Sequence, residues 1–311
     1  MNVLIVGGEG FVGGYLAPFL IEKGQNVSIT KIPNIEYNSK GVTTFDVDLL
    51  DRASINKALI SSNPDVIYHL AAQSSVALSW AEPTLTAQVN IIGLINLLEE
   101  IRLLNIRPKI ILIGSSEEYG VSKNTPMPIK EDIVPTPSNI YGVTKYTQNL
   151  IGNIYVNAYN MDIIMTRSFN HIGAKQSPQF VVSDFCKQVA EIEKGLKEPV
   201  IKVGNLSVKR DFTNVIDVVN AYYLLSIKGR TGEIYNVGSG NAINISDILN
   251  MVIRLSNIDI KVDIDKDRYR PIDIEIVEAN ISKIKADTGW QPKISIENSI
   301  KDCLEYWRNT V

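Results

Sequence analysis

Tyr141 and Lys145 lie four residues apart in a segment with the periodicity of a helix, 139–159. At this spacing both side chains share one helical face, so the ammonium of Lys145 can lie beside the phenol of Tyr141. A positive charge there favours the phenolate and lowers the tyrosine pKa from its ordinary value of about 10. Ser115, which follows an apolar strand, can hydrogen-bond the same substrate oxygen. A tyrosine and a lysine at this spacing are ordinarily a packed ring beside a surface amine, but together with Ser115 they predict acid–base catalysis.

A glycine-rich turn follows the apolar strand Asn2–Val6 and reads Gly-Gly-Glu-Gly-Phe-Val-Gly-Gly over residues 7–14. Its glycine spacing allows a tight turn, a close approach of backbone N–H groups to a pyrophosphate, and close packing of helix on strand. Such a turn can be only a tight connection, but its place between an apolar strand and a helix favours a dinucleotide site. The residues expected at the cofactor are Gly7, Gly10, Phe11, Val12 and Gly13.

The end of the second strand indicates which dinucleotide is preferred. NAD sites place an acidic residue there for the adenosine ribose, whereas the 2′-phosphate of NADP requires donors or positive charge. This strand ends in Thr30 and Lys31, and the sequence shows no carboxylate at that corner. We therefore expect NADP(H) to be preferred, with NAD(H) as a second option. The alternative is that Lys31 is a solvated loop charge.

Two later segments complete the expected cofactor site. Segment 46–51 supplies a carboxylate that an adenine amino group could reach, although Asp51 can also be a helix cap. Segment 70–73 ends a strand with small side chains, which lets a cofactor lie against the backbone. The residues expected at the cofactor from these segments are Asp48, Leu49, Leu70, Ala71 and Ala72.

The elements that must position these residues alternate between strand and helix in the first half of the chain. Valine, isoleucine and leucine fill the strands without alternation, as in a parallel sheet buried on both faces. The expected fold is α/β, a doubly wound parallel (Rossmann) sheet, with ligands beyond the carboxyl ends of its strands. The predicted strands are Asn2–Val6, Val27–Thr30, Thr43–Asp46, Val66–Leu70, Ile110–Ile113 and Ile163–Ser168. The predicted helices are Val12–Lys23, Arg52–Ser61, Pro83–Leu104 and Asn139–Tyr159.

The second half has a less regular pattern and predicts a smaller, interleaved α/β substrate domain. We expect residues 1–168 to form the dinucleotide-binding domain, with 211–238 returning to it. Residues 169–210 and 239–311 then form the substrate domain. A helix capped by Ser246 is expected within the last of these segments.

The composition is that of an ordinary globular protein, with 45% hydrophobic residues, 21% charged residues and a formal charge of −3. The chain has no excess of basic residues, so its charge gives no indication of nucleic-acid binding. No apolar run is long enough to span a membrane. Cys186 and Cys303 are far apart and fit no zinc pattern, so we expect reduced core thiols and no metal. Because the apolar start of the chain lacks a charged leader, we expect a soluble, cytoplasmic protein.

The glycine turn, Ser115 and the Tyr141/Lys145 pair together resemble the extended short-chain dehydrogenase/reductase family, whose members modify nucleotide sugars. The resemblance covers essentially the whole chain. It implies that Tyr141 is the acid/base and that Ser115 orients the carbonyl. It implies that Lys145 anchors the cofactor ribose and lowers the tyrosine pKa. Asn90 matches the asparagine that supports the site from the preceding helix.

Four segments of the second half, 167–173, 204–206, 210–215 and 268–271, resemble the substrate-binding segments of the GDP-6-deoxy-D-mannose reductases (GDP-4-keto-6-deoxy-D-mannose reductases). The GDP-mannose 4,6-dehydratases are near relatives. The resemblance implies an NAD(P)-dependent oxidoreductase that reduces the C4 keto group of a GDP-4-keto-6-deoxyhexose with NADP(H). The product would be a GDP-6-deoxyhexose such as GDP-D-rhamnose.

Within this resemblance, Arg210 and Arg270 clamp the diphosphate of the GDP-sugar, a task suited to the guanidinium fork. Asn170 and Ser74 contact the substrate. For Arg210 the alternative is an ion pair with a neighbouring aspartate, either Asp211 or Asp217.

Glu117 leaves a second function open. The dehydratases have a Thr-x-Glu element at this place, whose glutamate removes the C5 proton, and this chain has a serine, a serine and then Glu117. The alternative function is therefore a GDP-mannose 4,6-dehydratase or another nucleotide-sugar dehydratase or epimerase. A non-enzymatic NADP(H) sensor is disfavoured, because a binding module needs no ionisable phenol beside a lysine.

Helix 139–159 carries more apolar positions than one stripe against a sheet requires. Together with the resemblance, this surface predicts a homodimer. The positions are Ile140, Val143, Tyr146, Leu150, Ile151, Ile154, Tyr155 and Ala158.

Overall fold

The computed structural model describes residues 1–37, 39–120, 125–269 and 274–311. The described strands are β1 (Asn2–Val6), β2 (Asn26–Lys31), β3 (Val42–Asp46), β4 (Val66–His69), β5 (Lys109–Leu112), β6 (Asp162–Ser168), β7 (Asn170–Ile172), β8 (Val200–Val203), β9 (Lys209–Asn214), β10 (Ile234–Val237), β11 (Ala242–Asn244), β12 (Lys261–Ile264) and β13 (Ile276–Val277). The described α-helices are α1 (Gly13–Glu22), α2 (Arg52–Ser62), α3 (Val76–Ala81), α4 (Pro83–Ala87), α5 (Gly93–Leu103), α6 (Ile140–Tyr159), α7 (Val181–Glu193), α8 (Val215–Lys228), α9 (Ile245–Arg254), α10 (Ser282–Thr288) and α11 (Ile296–Thr310).

The main sheet has seven strands in the order β10-β6-β5-β4-β1-β2-β3, and all its neighbours run parallel. Alternate residues of β1 enter two separate cores. Val3 and Ile5 pack with α1 and α8 on one face, whereas Leu4 and Val6 pack with α2 and α5 on the other. Burial on both faces explains why the strands are continuously apolar. The predicted doubly wound α/β fold is therefore confirmed, and each of the six predicted strands is present to within one residue.

The second half of the chain forms its own layer beside the carboxyl ends of the main sheet. Strands β7, β9, β11 and β13 form one small sheet, and β8 pairs with β12 in another. Helices α7, α9 and α11 cover a third apolar core there. Between these parts, α8 packs on the main sheet and β10 pairs with β6, so segment 215–237 lies with the first half. The domain boundaries given above stay a prediction.

The helix expected over 83–104 is present over residues 83–103, with a π-helical turn (Gln88–Ile92) between α4 and α5. One predicted helix feature is wrong. Asn244, not Ser246, caps α9: its side-chain oxygen accepts from the Ser246 N–H at 3.1 Å. Ser246 already lies inside the first turn.

No helix in the described part of the chain combines the length and the apolar character needed to cross a membrane.

The glycine turn provides a matched pair of stability variants. A Cβ at Gly13 would lie 2.3 Å from the Gly8 carbonyl oxygen, whereas a Cβ at Gly14 would meet nothing within 4 Å. We expect Gly13→Ala to lower the free energy of unfolding by about 1–3 kcal/mol or more. Gly14→Ala should leave it unchanged or raise it by up to about 1 kcal/mol. Urea denaturation of both variants measures the difference, and equal effects would contradict the close helix–strand packing assigned to Gly13.

Candidate active site

A cavity of about 1290 Å³ separates the carboxyl ends of the main sheet from the second-half layer. It brings together residues that are far apart in the sequence. The predicted site residues that line it are Gly7, Gly10, Phe11, Val12, Gly13, Thr30, Lys31, Asp48, Leu49, Leu70, Ala71, Ala72, Ser74, Ser115, Glu117, Tyr141, Lys145, Asn170 and Arg210. The remaining predicted site residue, Arg270, lies outside the described residues.

The glycine turn has the shape that a dinucleotide pyrophosphate requires. Gly7 has φ +80°, and a Cβ there would lie 2.7 Å from the Ala71 backbone. Its N–H donates to the Thr30 hydroxyl at 3.0 Å, which holds the turn against β2. At Gly10 a Cβ would meet nothing nearer than 3.5 Å, so this side of the turn is open. The residues therefore fit a bound dinucleotide, with the pyrophosphate beside the α1 N-terminus.

The corner at the end of β2 differs from the expectation in one respect. Lys31 forms an ion pair with Asp46, which is opposite it in register on β3. Glu9, inside the glycine turn, also reaches this corner, because its Oε1 accepts from the Ile32 N–H at 3.1 Å. The expectation that no carboxylate lies here is wrong. Strand pairing and a turn contact bring in two acidic residues that the sequence after β2 does not show.

Tyr141, Ser115 and Lys145 lie together on one wall of the cavity. The Tyr141 hydroxyl hydrogen-bonds Ser115, and both side chains are buried. Burial, with the charges of Glu117 and Glu118, raises the pKa of Tyr141 above its ordinary value of 10, and the Ser115 hydrogen bond opposes the rise. The expected lowering of the tyrosine pKa is therefore wrong. Desolvation of the buried phenol is the largest cause of the rise.

Lys145 is held by two acceptors that its spacing from Tyr141 does not reveal. Its Nζ donates to the Ile113 carbonyl at 2.8 Å and to Gln148 Oε1 at 2.9 Å. Gln148 Nε2 in turn donates to the Asn90 carbonyl at 2.5 Å, within the π-helical turn. Burial lowers the pKa of Lys145 to about 8. Gln148 was missed in the sequence analysis, although its position three residues after Lys145 places it on the same helical face.

The Asn90 side chain joins the turn after β4 to helix α6. Its Oδ1 accepts from the Gln73 N–H at 2.8 Å, and its Nδ2 donates to the Thr144 hydroxyl at 2.9 Å. Asn90 is fully buried, so it contacts the site through neighbours. This is the supporting position that the family resemblance implies.

The turn that carries Ser115 is fastened by a buried carboxylate. Glu118 Oε1 accepts from the Ser115 N–H at 2.8 Å, completing a capping box. Its Oε2 accepts from Asn149 on α6 and from Arg167 on β6, the latter at 3.0 Å. The Ser-x-x-Glu spacing in the sequence is typical of a capping box and could have predicted this contact. Glu118 thus fixes Ser115 relative to both α6 and β6.

Glu117, beside Glu118, faces the cavity instead of the core. Its Oε2 accepts from Asn139 Nδ2 at 2.7 Å. Asn139 caps α6 through a 2.8 Å bond from the Gly142 N–H. The carboxylate therefore lies close to Tyr141, whose pKa it helps to raise, and is oriented by the cap of the same helix.

The second-half wall carries the predicted substrate residues. Arg210 donates to the carbonyl oxygens of Lys209 and Ile274, at 2.9 and 2.7 Å. The carboxylates of Asp211 and Asp217 accept from backbone N–H groups elsewhere, so neither provides the ion pair considered as an alternative for Arg210. Asn170 and Ser74 are exposed on the cavity wall.

Two further side chains of this wall are tied to protein groups. Arg268 pairs with Asp184 at 2.8 Å. The His171 ring stacks on Phe11, with centroids 6.0 Å apart, and its Nδ1 lies 3.2 Å from the Phe169 carbonyl oxygen. The first contact joins two segments of the second half, and the second joins β7 to the glycine turn.

The Glu118–Arg167 pair predicts a large loss of stability when it is broken. Both side chains are almost completely buried, at 0% and 3% exposure. We expect Glu118→Ala to lower the free energy of unfolding by about 3–5 kcal/mol, because it leaves the guanidinium buried and unpaired. Glu305→Ala, which removes an exposed partner of Arg308, should lower it by less than about 1 kcal/mol. Denaturant titration compares them, and equal small losses would contradict the role given to Glu118.

Comparison with known proteins places this geometry in a family. The sequence pattern of the family described as GDP-mannose 4,6 dehydratase matches residues 4–303. The GDP-6-deoxy-D-mannose reductase of Pseudomonas aeruginosa is 28% identical over 310 residues, which cover 100% of this chain and 98% of that protein.

Two solved structures agree in fold over the full length of the chain. One, RMD from Pseudomonas aeruginosa complexed with NADPH, superposes with a TM-score of 0.88 at 28% identity. The other, the UDP-glucose 4-epimerase of Thermus thermophilus in complex with NAD, superposes with a TM-score of 0.89 at 27% identity. Each match covers 100% of both chains. The chain therefore belongs to the GDP-mannose 4,6-dehydratase family and is an NAD(P)-dependent enzyme of the nucleotide-sugar dehydratases, reductases and epimerases.

Proposed function

We propose that this enzyme reduces the C4 keto group of a GDP-4-keto-6-deoxyhexose to give a GDP-6-deoxyhexose such as GDP-D-rhamnose. The observation that carries the proposal is the buried Tyr141–Ser115 hydroxyl pair, which lies in one cavity with both the glycine turn and Arg210. A proton donor, a dinucleotide cradle and a diphosphate-binding side chain thereby face the same space. The similarity to a GDP-6-deoxy-D-mannose reductase over the whole chain supports the same reaction.

In this mechanism Ser115 and Tyr141 hold the C4 oxygen, and Tyr141 gives it a proton as the carbonyl becomes a hydroxyl. Bound NADPH supplies the hydride to C4. The raised pKa of Tyr141 keeps the phenol protonated at neutral pH, ready to act as the acid. The phenolate that remains is favoured by the Lys145 ammonium, whose pKa of about 8 leaves it mostly charged at neutral pH. Arg210 holds the diphosphate and so orients the sugar.

We propose NADP(H) as the preferred cofactor, with NAD(H) also accepted. Thr30 and Lys31 end β2 where an NAD site would have a carboxylate, and a similar structure was obtained with NADPH. Another similar structure contains NAD, so sites of this fold bind NAD in some proteins and NADPH in others.

A second candidate function, GDP-mannose 4,6-dehydration, is favoured by the position of Glu117. The carboxylate lines the cavity near Tyr141, where a base for the C5 proton is required. The matched family also takes its name from that reaction. Against this, the Asn139 amide already occupies one of its oxygens.

Product analysis separates the two functions. The purified protein is incubated with GDP-mannose alone, and then with GDP-mannose, a known GDP-mannose 4,6-dehydratase and NADPH. We expect a product only in the second mixture, with one NADPH oxidised per keto sugar reduced. Formation of a 4-keto-6-deoxy sugar from GDP-mannose alone, abolished by Glu117→Gln, would establish the dehydratase instead.

Removal of the hydroxyl that is the proposed acid should slow turnover without weakening NADPH binding. We expect Tyr141→Phe to lower kcat by at least ~10²-fold, the usual scale for a positioned acid. Fluorescence titration should give an NADPH affinity within about threefold of wild type, because the ring still packs. Tyr146→Phe, on the same helix but outside the cavity lining, serves as the matched control. Full activity of Tyr141→Phe would remove this residue from its role.

We further propose that the enzyme is a homodimer joined through α6. The described structure leaves Val143, Leu150 and Ile154 exposed by 43%, 46% and 59%. Positions 143, 147, 150, 154 and 158 follow spacings of three and four residues and form one stripe, the seam of paired helices. A second copy of the chain would cover this stripe.

Light scattering tests the dimer. Wild type at micromolar concentration should have twice the mass of one chain, 34.5 kDa. Ile154→Glu should give monomers, because paired copies would bring two carboxylates together in an apolar seam. Ile60→Glu, at an exposed isoleucine on α2, should stay dimeric. A monomeric wild type would contradict the proposal.

A cytoplasmic location is also proposed. Cys186 and Cys303 are buried thiols that form no disulfide bond. Free thiols are typical of reducing compartments.

A further inference from the structure

Glu9 is an acidic residue of the cavity wall that the proposed mechanism does not use. Its Oε1 accepts from the Ile32 N–H at 3.1 Å. Its Oε2 is buried and has no hydrogen-bond partner among the described residues. A carboxylate oxygen that is shielded from water and has no donor carries a large desolvation cost. Because Glu9 lines the cavity, a ligand bound there can offer this carboxylate a donor.

The place of Glu9 identifies the part of a dinucleotide that it meets. In sheets of this kind the glycine turn receives the pyrophosphate, and the end of the second strand receives the adenosine ribose. Glu9 belongs to the turn and is bonded to Ile32, one residue beyond β2. Glu9, Lys31 and Ile32 all line the cavity. The carboxylate therefore faces the ribose end of the site, away from Tyr141 and the reacting carbon.

The carboxylates around this corner offset part of the attraction that Lys31 offers to an additional phosphate. Lys31 is the residue expected to attract a 2′-phosphate, but its ammonium is already paired with Asp46. With Glu9, these three side chains comprise one cation and two carboxylates. A phosphate monoester would add a charge of about −1.5 to −2 to this set. A ribose 2′-hydroxyl would instead add no charge and can donate a second hydrogen bond to the Glu9 carboxylate.

We propose that Glu9 reads the 2′ position of the adenosine ribose, accepting a hydrogen bond from a 2′-hydroxyl and opposing a 2′-phosphate. Glu9 thereby limits the preference for NADP(H) and gives the enzyme its capacity for NAD(H). This inference rests on the cofactor site of the proposed function. It assigns the specificity of that site to a residue in the glycine turn as well as to the end of β2.

Binding of adenosine fragments tests the assignment without any turnover. Isothermal titration with 2′,5′-ADP and with 5′-AMP compares a ribose that carries the phosphate with one that does not. In Glu9→Gln the amide oxygen can keep the Ile32 contact while the negative charge is lost. We expect this variant to bind 2′,5′-ADP at least ~10-fold more tightly than wild type, with a change below about threefold for 5′-AMP. Glu9→Ala, which also loses the acceptor, should bind 5′-AMP more weakly.

The matched control is Glu22→Gln, which removes the same charge from an exposed residue at the far end of α1. It should leave both affinities unchanged. Equal affinities of wild type and Glu9→Gln for 2′,5′-ADP would overturn the role of Glu9 even if the enzyme is a reductase. Failure of both fragments to bind any of the proteins would instead overturn the cofactor site. Unfolding curves of each variant establish that the fold is intact.

Discussion

The buried Glu118 carboxylate is the interaction on which the site depends. It receives the Ser115 N–H, the Asn149 amide of α6 and the Arg167 guanidinium of β6. Ser115 belongs to the turn after β5, so one side chain joins three neighbouring elements. Without these donors, a fully buried carboxylate would be unstable in its charged form, and burial does raise the pKa of Glu118. The carboxylate thus holds the turn in place only while all three elements are folded together.

The same network extends into the second half of the chain. The Arg167 guanidinium stacks on the Tyr119 ring at 4.6 Å, and the Tyr119 hydroxyl donates to Asn236 on β10 at 2.7 Å. In sequence, β10 lies between β9 and β11 of the small sheet, but it pairs with β6 in the main sheet. The Tyr119–Asn236 hydrogen bond is therefore one of the contacts that hold segment 215–237 with the first half of the chain.

The features predicted correctly from the sequence are those that follow from continuous apolar strands or from residue spacing along a helix. The six strands, the glycine turn and the shared face of Tyr141 and Lys145 are of this kind. The sequence did not predict features created by contacts between elements. At the π-helical turn, the Asn90 carbonyl accepts from the Gln148 side chain, whose oxygen accepts from Lys145 on the buried face of another element, α6. Two acidic residues reach the end of β2 through contacts with other elements. Asp46 pairs with Lys31 across the strands, and Glu9 of the glycine turn accepts from the Ile32 N–H, so the sequence of β2 does not predict either residue there. The predicted lowering of the Tyr141 pKa is wrong because residue spacing does not show how deeply the phenol is buried.

That last difference bears on the direction of the chemistry. A tyrosine that begins a reaction by removing a proton from a hydroxyl must first be a phenolate. Burial and the carboxylates of Glu117 and Glu118 instead raise the pKa of Tyr141, which keeps the proton on the phenol at neutral pH. Reduction of a ketone begins with an acid, and dehydration of a sugar begins with removal of a hydroxyl proton at C4. The raised pKa of Tyr141 therefore agrees with the proposed reduction, in which the phenol starts as the acid.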